Sequence, residues 1–154
     1  MRVGRQRGFG LVAALVVLAL VSLGLAATGP VWSQRAQRER ERELIGFGLL
    51  YAQALAAYKA ASPGSDKQYP ATLEALALDT RFAGTVRHLR RAYADPLNPG
   101  KPWGLVRNTA GRIVGVYSQS VAAPLAQGEL RLDDRVLPPA RRYADWKFLA
   151  LNPS

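Results

Sequence analysis

The hydrophobic pattern of the chain begins with one uninterrupted apolar run. The segment from Phe9 to Trp32 contains no charged side chain. A helix rises about 1.5 Å per residue, so a run of this length reaches across the roughly 30 Å hydrocarbon core of a bilayer. The sequence therefore predicts a membrane-spanning helix over residues 9–32. A short leader over residues 1–8 precedes it and carries the arginines Arg2, Arg5 and Arg7.

Residues 33–61 continue the helical pattern, but with polar and apolar positions interleaved. Charges of both signs alternate from Arg35 to Glu43, which is typical of a solvated stretch of helix. Beyond them, large apolar side chains recur every three or four positions, as in the buried stripe of an amphipathic helix. We expect one long helix over 9–61 whose second half packs on a globular domain through Leu44, Phe47, Tyr51, Leu55 and Tyr58.

The remaining residues, 62–154, predict one small globular domain. Proline and glycine soon after position 61 end the long helix, because neither continues a helix well. The proline at position 70 favours the first turn of a helix and predicts a short helix over 70–78. A third helix, basic on one side, is expected over 86–93, and an irregular loop rich in proline follows over 95–102.

After residue 102 the pattern changes to that of strands. Residues 103–107 and 112–118 flank the turn-forming segment 108–111, so they predict a β-hairpin. The mixed, proline-containing segment 119–142 predicts no regular element, and 143–151 predicts a final strand. The fold class is therefore α+β, with a long N-terminal helix packed on a small antiparallel sheet that buries one face.

Composition narrows the classes of function. The chain has 154 residues, no cysteine and a formal net charge of +10. Without disulfides, a domain of this size depends on packing or on a bound ion. A basic surface suits anionic partners such as nucleic acid, lipid headgroups or acidic proteins, but the need for solubility explains the charge more simply, and we favour that explanation.

The junction between the leader and the apolar run carries a specific motif. The segment from Arg7 to Val12, Arg-Gly-Phe-Gly-Leu-Val, resembles the type III signal of type IV pilins and type II secretion pseudopilins. The resemblance implies that a prepilin peptidase cuts after Gly8 and that the new N-terminal Phe9 is methylated. Because cationic flanks resist translocation, we expect a cytoplasmic N-terminus, a single pass through the bacterial inner membrane and a periplasmic domain.

Two positions inside the apolar run bear on helix assembly in such a family. Pro30 is the twenty-second residue counted from Phe9, where these helices often carry a kinking proline. Ala13 occupies the position at which the family usually has a glutamate, whose carboxylate pairs with the N-terminal amine of a neighbouring subunit. This departure implies a minor subunit rather than the major, fibre-forming one.

Short motifs further along the chain extend the resemblance over nearly its whole length. They look like a compact branch of proteobacterial pseudopilins that is similar to the major type II secretion pseudopilin. The resemblance implies a structural subunit without enzymatic activity. Its partners would be other pseudopilins, prepilin peptidase, the inner membrane and, indirectly, an assembly platform and ATPase. Among the motifs are Gln68-Tyr-Pro70, Tyr93-Ala-Asp-Pro96, Gly115-Val-Tyr-Ser118 and Tyr143-Ala-Asp-Trp-Lys-Phe148.

Two other interpretations of the N-terminal segment compete with this one. The first is an ordinary secretory signal peptide that is cut after Ala26, and the second is a plain signal anchor on an unrelated domain. Signal peptides have apolar cores of roughly 7–15 residues, and this run is longer. We therefore favour the pilin-type signal.

Candidate catalytic chemistry is sparse. The single histidine, His88, has arginine neighbours that make it a poor proton acceptor, and we interpret it as a residue on the surface of the helix predicted over 86–93. No cysteine cluster or histidine pair is present to bind zinc, and no local signature of a nucleophile accompanies His88.

Calcium is the one metal ion for which the sequence offers candidate ligands. Asp95, Asn98 and Ser118 lie in a region roughly similar to the calcium loop of the major secretion pseudopilins, and oxygen ligands suit calcium. Asp133 and Asp134 are more distant candidates. A calcium site needs more carboxylates than Asp95 supplies locally, so we favour a turn beginning at Asp95 and expect no cofactor.

Two further functions remain open. One is a minor pilin that binds DNA during natural uptake, with an affinity that would fall steeply with salt. Its phosphate contacts would be Arg87, Arg90, Arg91, Arg141 and Arg142. The other is a single-pass anchored domain of unrelated function, for example an enzyme, which the sparse catalytic chemistry disfavours.

Overall fold

The computed structural model describes residues 7–26, 29–132 and 135–151. Two long helices, α1 (Arg7–Ala26) and α2 (Gly29–Ala60), are followed by the one-turn helix α3 (Glu74–Ala77). The chain divides into two compact units, Met1–Arg38 and Glu39–Ser154. The strands are β1 (Gly104–Arg107), β2 (Ile113–Tyr117), β3 (Leu130–Leu132), β4 (Arg135–Leu137) and β5 (Phe148–Leu149), and a 3₁₀ turn at Tyr143–Asp145 precedes β5.

The structure describes the region predicted as one helix over 9–61 in two parts, α1 and α2. α1 ends at Ala26 and α2 begins at Gly29, while residues 27 and 28 lie outside the described part. Pro30 is the second residue of α2.

Across the described ranges, no helix combines the length and the apolar character needed to cross a membrane.

The second half of α2 packs on the domain through the predicted stripe. Leu44, Tyr51, Leu55 and Tyr58 are buried in the core, and the partly buried Phe47 packs against that core. The stripe is therefore confirmed. The hydroxyl of Tyr51 also bridges the backbone of one loop residue, since it donates to the carbonyl of Tyr93 (3.1 Å) and accepts from its amide (3.0 Å).

One glycine of α2 has a packing role that the sequence does not reveal. A Cβ atom at Gly48 would overlap the ring of Phe148 in β5. Glycine costs about 1 kcal/mol of helix propensity relative to alanine. Here that cost is offset because the bare backbone lets the buried Phe148 ring lie directly on the helix.

The domain contains a three-stranded antiparallel sheet in the order β1-β2-β5. The predicted hairpin of β1 and β2 is confirmed, with Leu105 opposite Val116 and Val106 opposite Gly115. Its turn closes through the amide of Gly111, which donates to the carbonyl of Asn108 (2.9 Å). Gly111 has a φ of +73°, a left-handed conformation that favours glycine. The sequence-level fold class, α+β with a helix on a small antiparallel sheet, holds for this unit.

A second, two-stranded sheet lies in the segment for which the sequence predicts no element. β3 pairs antiparallel with β4, with Arg131 opposite Val136. The residues between these strands, 133–134, lie outside the described ranges. The alternating Leu-Arg-Leu of β3 and the following pair of aspartates are a usable hairpin signal, which the nearby prolines obscured.

The helix predicted over 70–78 is mostly wrong, because only Glu74–Ala77 is helical. The carbonyl of Pro70 accepts a hydrogen bond from the amide of Ile113 (2.9 Å), which ties residue 70 to the start of β2. The proline is buried at this contact and does not begin a helix.

The helix predicted over 86–93 is absent, and the segment is extended or bent. Its backbone groups pair with the residues around α3. The amides of His88 and Leu89 both donate to the carbonyl of Leu76 (2.8 and 2.9 Å), and Asp79 forms an antiparallel bridge with Val86. Long-range pairing therefore overrides the helical periodicity of this basic stretch.

The final strand is shorter than predicted. Its first part is the 3₁₀ turn, in which the carboxylate of Asp145 accepts from the amide of Arg142 (3.1 Å) and closes the turn. The indole of Trp146 is fully buried and donates to the carbonyl of Pro138 (3.1 Å). Pairing with β2 begins only at Phe148.

Candidate functional site

Helix α1 presents an apolar surface on every side. Its first turn contains Gly8 and Phe9, the predicted processing residues. All residues from Gly10 to Val21, which include Ala13, are uncharged and exposed. Within residues 10–21, the large apolar side chains are each more than half exposed: Leu11, Val12, Leu15, Val16, Val17, Leu18, Leu20 and Val21.

Such a surface has a clear physical implication. A helix that is apolar all round is stable only where lipid or other apolar helices surround it. Exposed apolar surface of this extent marks a site of membrane or protein association. We therefore treat α1 as the principal functional surface of the first unit.

A buried polar network forms a second feature, at the C-terminal end of α2. The carboxylate of Asp79 has no exposed surface, and it binds the guanidinium of Arg81 through both oxygens, at 2.8 Å to Nε and 2.6 Å to Nη2. The same Arg81 donates to the hydroxyl of Ser62 (2.7 Å) and to the carbonyl of Tyr58 (2.9 Å). The ring of Tyr58 lies 3.5 Å from the guanidinium carbon, which places a cation over an aromatic face.

This network completes the end of the helix. The last four carbonyls of a helix have no donor within the helix, and in α2 each of these four accepts a hydrogen bond from a group outside the helix. Those of Ala57 and Lys59 accept from backbone amides just beyond the helix, and that of Tyr58 accepts from Arg81. The carbonyl of Ala60 accepts from the ammonium of Lys67 (3.1 Å). Cations at a helix C-terminus also interact favourably with its dipole.

The position of His88 corrects the sequence interpretation. Its side chain is 7 % exposed, and Nε2 lies 3.0 Å from Oδ2 of Asp79, so it belongs to the network and not to a helix surface. The hydrogen bonds from Arg81, with a smaller contribution from His88, hold the pKa of Asp79 well below its usual range, although burial acts in the opposite direction. Among the described residues, the side chain of His88 forms its hydrogen bond with Asp79, and the network joins these residues to the C-terminal end of α2.

Glu41 also departs from the sequence interpretation, which placed it in a solvated stretch. It is buried, and its carboxylate accepts hydrogen bonds from the hydroxyl of Tyr143 (2.7 Å) and the amides of Leu125 (2.8 Å) and Ala126 (3.3 Å). Side chain and backbone donors from distant parts of the chain therefore converge on one helical carboxylate. Glu41 fastens the segment around 125–126 and the 3₁₀ turn to α2.

The side chains of two of the three main calcium candidates, Asp95 and Ser118, are in contact. The hydroxyl of Ser118 donates to Oδ2 of the buried Asp95 (2.6 Å), while Oδ1 accepts from the amide of Leu97 (2.9 Å). The amide of Asn98 donates to the backbone carbonyl of Asp95 (3.3 Å), which gives the turn favoured from the sequence. Asp133 and Asp134 lie outside the described residues, within which no group of three or more histidine, cysteine or acidic side chains could hold a metal ion.

The candidate phosphate contacts occupy two separate segments. Arg87, Arg90 and Arg91 are exposed on the extended segment that follows α3, and Arg91 lies 5.2 Å from the ring of Tyr93. The exposed Arg141 and Arg142 precede the 3₁₀ turn.

The structure places Arg142 in a cleft with other cations. The cleft, of about 430 Å³, also contains Arg107 and Lys147, and Asp145 is the acidic residue that lines it. Asp145 binds Arg142 at 3.1 Å. Arg90 lines a different cleft, beside α2. The five arginines proposed from the sequence are therefore distributed over more than one surface.

No protein-family model matches the chain, and no curated protein or solved structure matches it either.

Proposed function

We propose that this protein is a structural pseudopilin subunit of a type II secretion machine or a related type IV pilus-like machine, of the minor kind. In this proposal the segment 9–32 anchors the subunit in the bacterial inner membrane, with the domain in the periplasm. After removal of the leader, α1 packs against the helices of other pseudopilins in a short fibre. Burial among neighbouring helices replaces burial in lipid.

The observation that carries this proposal is the surface of α1. Twelve consecutive residues, Gly10 to Val21, are uncharged and exposed on all sides of the helix. A helix with a single apolar stripe would dock on one partner. A helix that is apolar on all sides suits the lipid bilayer before assembly and several neighbouring helices after assembly. The leader motif Arg-Gly-Phe at residues 7–9 adds the processing signal.

The second unit is compatible with the same role. The C-terminal half of α2 is fixed to a small antiparallel sheet by a continuous core. A domain anchored to a helix in this way can form the outside of a fibre while its N-terminal helix forms the inside. A helix packed on a small antiparallel sheet is the coarser arrangement that the resemblance implies, and it supports the proposal without identifying the family.

We expect that the mature protein begins at Phe9. Cleavage after Gly8 removes the basic leader, and Gly8→Ala should block it because the peptidase of this family requires glycine before the cut. Intact-mass measurement and N-terminal sequencing of protein extracted from membranes check both statements. Gly10→Ala is the matched control and should be processed normally, since open space surrounds that position. A mature chain that begins at Ala27 would contradict the proposal.

We also expect that this subunit does not form abundant fibres by itself. An N-terminal ammonium buried in a fibre core without a carboxylate partner is costly, and no acidic residue lies between Phe9 and Trp32 to supply one. Ala13→Glu should therefore raise the yield of sedimenting fibres about tenfold or more, which corresponds to at least about 1.4 kcal/mol. The measurement is fibre yield from cells that express this protein alone with a working assembly platform.

Ala14→Glu is the control for that experiment. It adds the same charge to the same helix, but successive helical residues point about 100° apart, so its carboxylate faces elsewhere. Abundant fibres from the unchanged protein would contradict the assignment as a minor subunit, as would an equal gain from the two substitutions.

A further inference from the structure

The cleft of about 430 Å³ described above lies on the face of the three-stranded sheet that turns away from α2. Phe148 of β5 packs against α2 and pairs with Val116 of β2. Successive residues of a strand point to opposite faces, so Lys147, which precedes Phe148, and Tyr117, which follows Val116, lie side by side on the other face. Both line the cleft. The sheet surface around Tyr117 is therefore its floor.

The aromatic ring of Tyr117 has a defined orientation in this cleft. Tyr117 pairs with Gly104 of β1, and a Cβ atom at Gly104 would overlap the ring atoms Cζ, Cε1 and Cε2 at nearly equal distances. One face of the ring therefore lies against the bare backbone of β1. Tyr117 is only half-buried, so the ring also offers exposed surface to the cleft.

Three cations line the same cleft, and one carboxylate offsets part of their charge. Asp145 binds Arg142 at 3.1 Å. Arg107 donates to two backbone carbonyls (2.6 and 3.3 Å), which orient its guanidinium without neutralising it. Lys147 is exposed and has no hydrogen bond or ion pair with any residue that the structure describes. The cleft therefore combines an oriented aromatic ring with excess positive charge.

We propose that this cleft binds single-stranded nucleic acid, with one base stacked on Tyr117 and the adjoining phosphates bound by Lys147 and Arg107. Proteins that bind single strands without sequence preference combine a positively charged groove with aromatic side chains on which bases stack. The cleft has both features. Its volume of about 430 Å³ lies within the range of about 300–1,000 Å³ typical of small-ligand pockets, which suits a single nucleotide of the strand.

The aromatic ring favours nucleic acid over an acidic protein segment, because carboxylates would use the cations alone whereas a nucleotide uses both groups. The strand must be single, since a duplex covers the faces of its bases by stacking. Of the five arginines considered from the sequence as phosphate contacts, Arg142 is the one that lines this cleft. The proposal goes beyond the structural role, and because it concerns the unit Glu39–Ser154 it does not depend on processing or fibre assembly.

The test titrates the full-length chain, in micelles of a neutral detergent, into a fluorescent strand of about eight thymidines and follows the anisotropy. Tyr117→Ala should weaken binding at least about fivefold, which is the loss that accompanies removal of one stacked base. Tyr117→Phe is the matched control: it keeps the ring and should change the affinity less than about twofold.

A strand of the same length without bases separates stacking from loss of folding. It should bind the unchanged protein at least about fivefold more weakly than the thymidine strand does, and it should bind Tyr117→Ala as tightly as it binds the unchanged protein. This comparison uses the unchanged protein, so it tests the proposal even if Tyr117→Ala does not fold.

The salt dependence tests the phosphate contacts. Lys147→Gln should make the slope of log affinity against log salt concentration shallower by about 0.7, the contribution of one phosphate contact on a single strand. Arg87→Gln removes an exposed cation from another segment and should leave the slope unchanged. The proposal is overturned if the thymidine strand does not bind, if the strand without bases binds the unchanged protein equally well, or if the two charge removals act equally. Tighter binding of a polyglutamate of the same length would overturn the assignment of nucleic acid.

Discussion

Replacing Leu55 with aspartate is expected to unfold the unit Glu39–Ser154. Leu55 is fully buried in the stripe by which α2 packs on the sheet. Loss of the leucine costs about 2–5 kcal/mol in packing, and the unpaired carboxyl group adds about 1–3 kcal/mol or more. Native domains are stable by only about 5–15 kcal/mol, so this loss removes most or all of the stability. Thermal unfolding of the full-length chain in neutral detergent, followed by near-ultraviolet circular dichroism, measures it.

Leu50→Asp provides the matched control. Leu50 lies on the same helix but is 40 % exposed, so its substitution should change the free energy of unfolding by less than about 1 kcal/mol. The comparison separates the effect of burial from that of a new charge on α2. An unchanged melting temperature in Leu55→Asp would show that α2 does not pack on the sheet as described.

Asp79→Asn is expected to have the next largest effect, a loss of about 2–4 kcal/mol. The substitution leaves Arg81 and His88 beside a neutral amide, and removal of one partner from a buried ion pair is costly because the other charge stays unpaired. Arg81 is partly exposed, so water offsets some of the cost. Urea unfolding at neutral pH measures the change. Asp66→Asn makes the same chemical change at an exposed position and should be nearly neutral.

The contribution of Asp79 should also depend on pH in a defined direction. Its pKa in the folded protein is lowered, chiefly by hydrogen bonds from Arg81, so the unfolded chain binds the proton more readily. The ionised carboxylate therefore stabilises the fold fully above its unfolded pKa of about 4, and this stabilisation is lost as the pH falls toward the lower folded pKa. The difference in stability between the unchanged protein and Asp79→Asn should be larger at pH 5 than at about pH 3. An equal difference at both values would contradict the role assigned to the ionised carboxylate.

Local sequence patterns predicted the elements whose signals are local. The spacing of Leu44 to Tyr58 fixed which face of α2 is buried, because a helix places residues three and four apart on one side. The alternation around residues 108–111 predicted the β1–β2 hairpin, because a short turn is encoded by its own residues. The local periodicity of 86–93 predicted a helix, and this prediction was wrong. The backbone of this segment pairs with residues near α3, and this pairing outweighs the weak helical periodicity.

The polar contacts at the core could not be predicted in this way. The sequence shows Glu41 and Asp79 as ordinary charged residues, one in an alternating run of charges and one without notable neighbours. Their partners are remote: Tyr143 is 102 positions from Glu41. A buried carboxylate is stable only where several donors converge on it, and that convergence exists only once the chain has folded.

The sequence by itself determined the apolar N-terminal segment, the Gly8-Phe9 junction, the buried stripe of α2 and the main hairpin. In each of these, the spacing of neighbouring residues defines the periodicity or motif. Only the tertiary structure decided that Gly48 admits the ring of Phe148, that Arg81 completes the end of α2 and that Arg142 lies in one cleft with Arg107 and Lys147. These features join segments far apart in the chain, so they depend on how the elements pack and not on any local pattern.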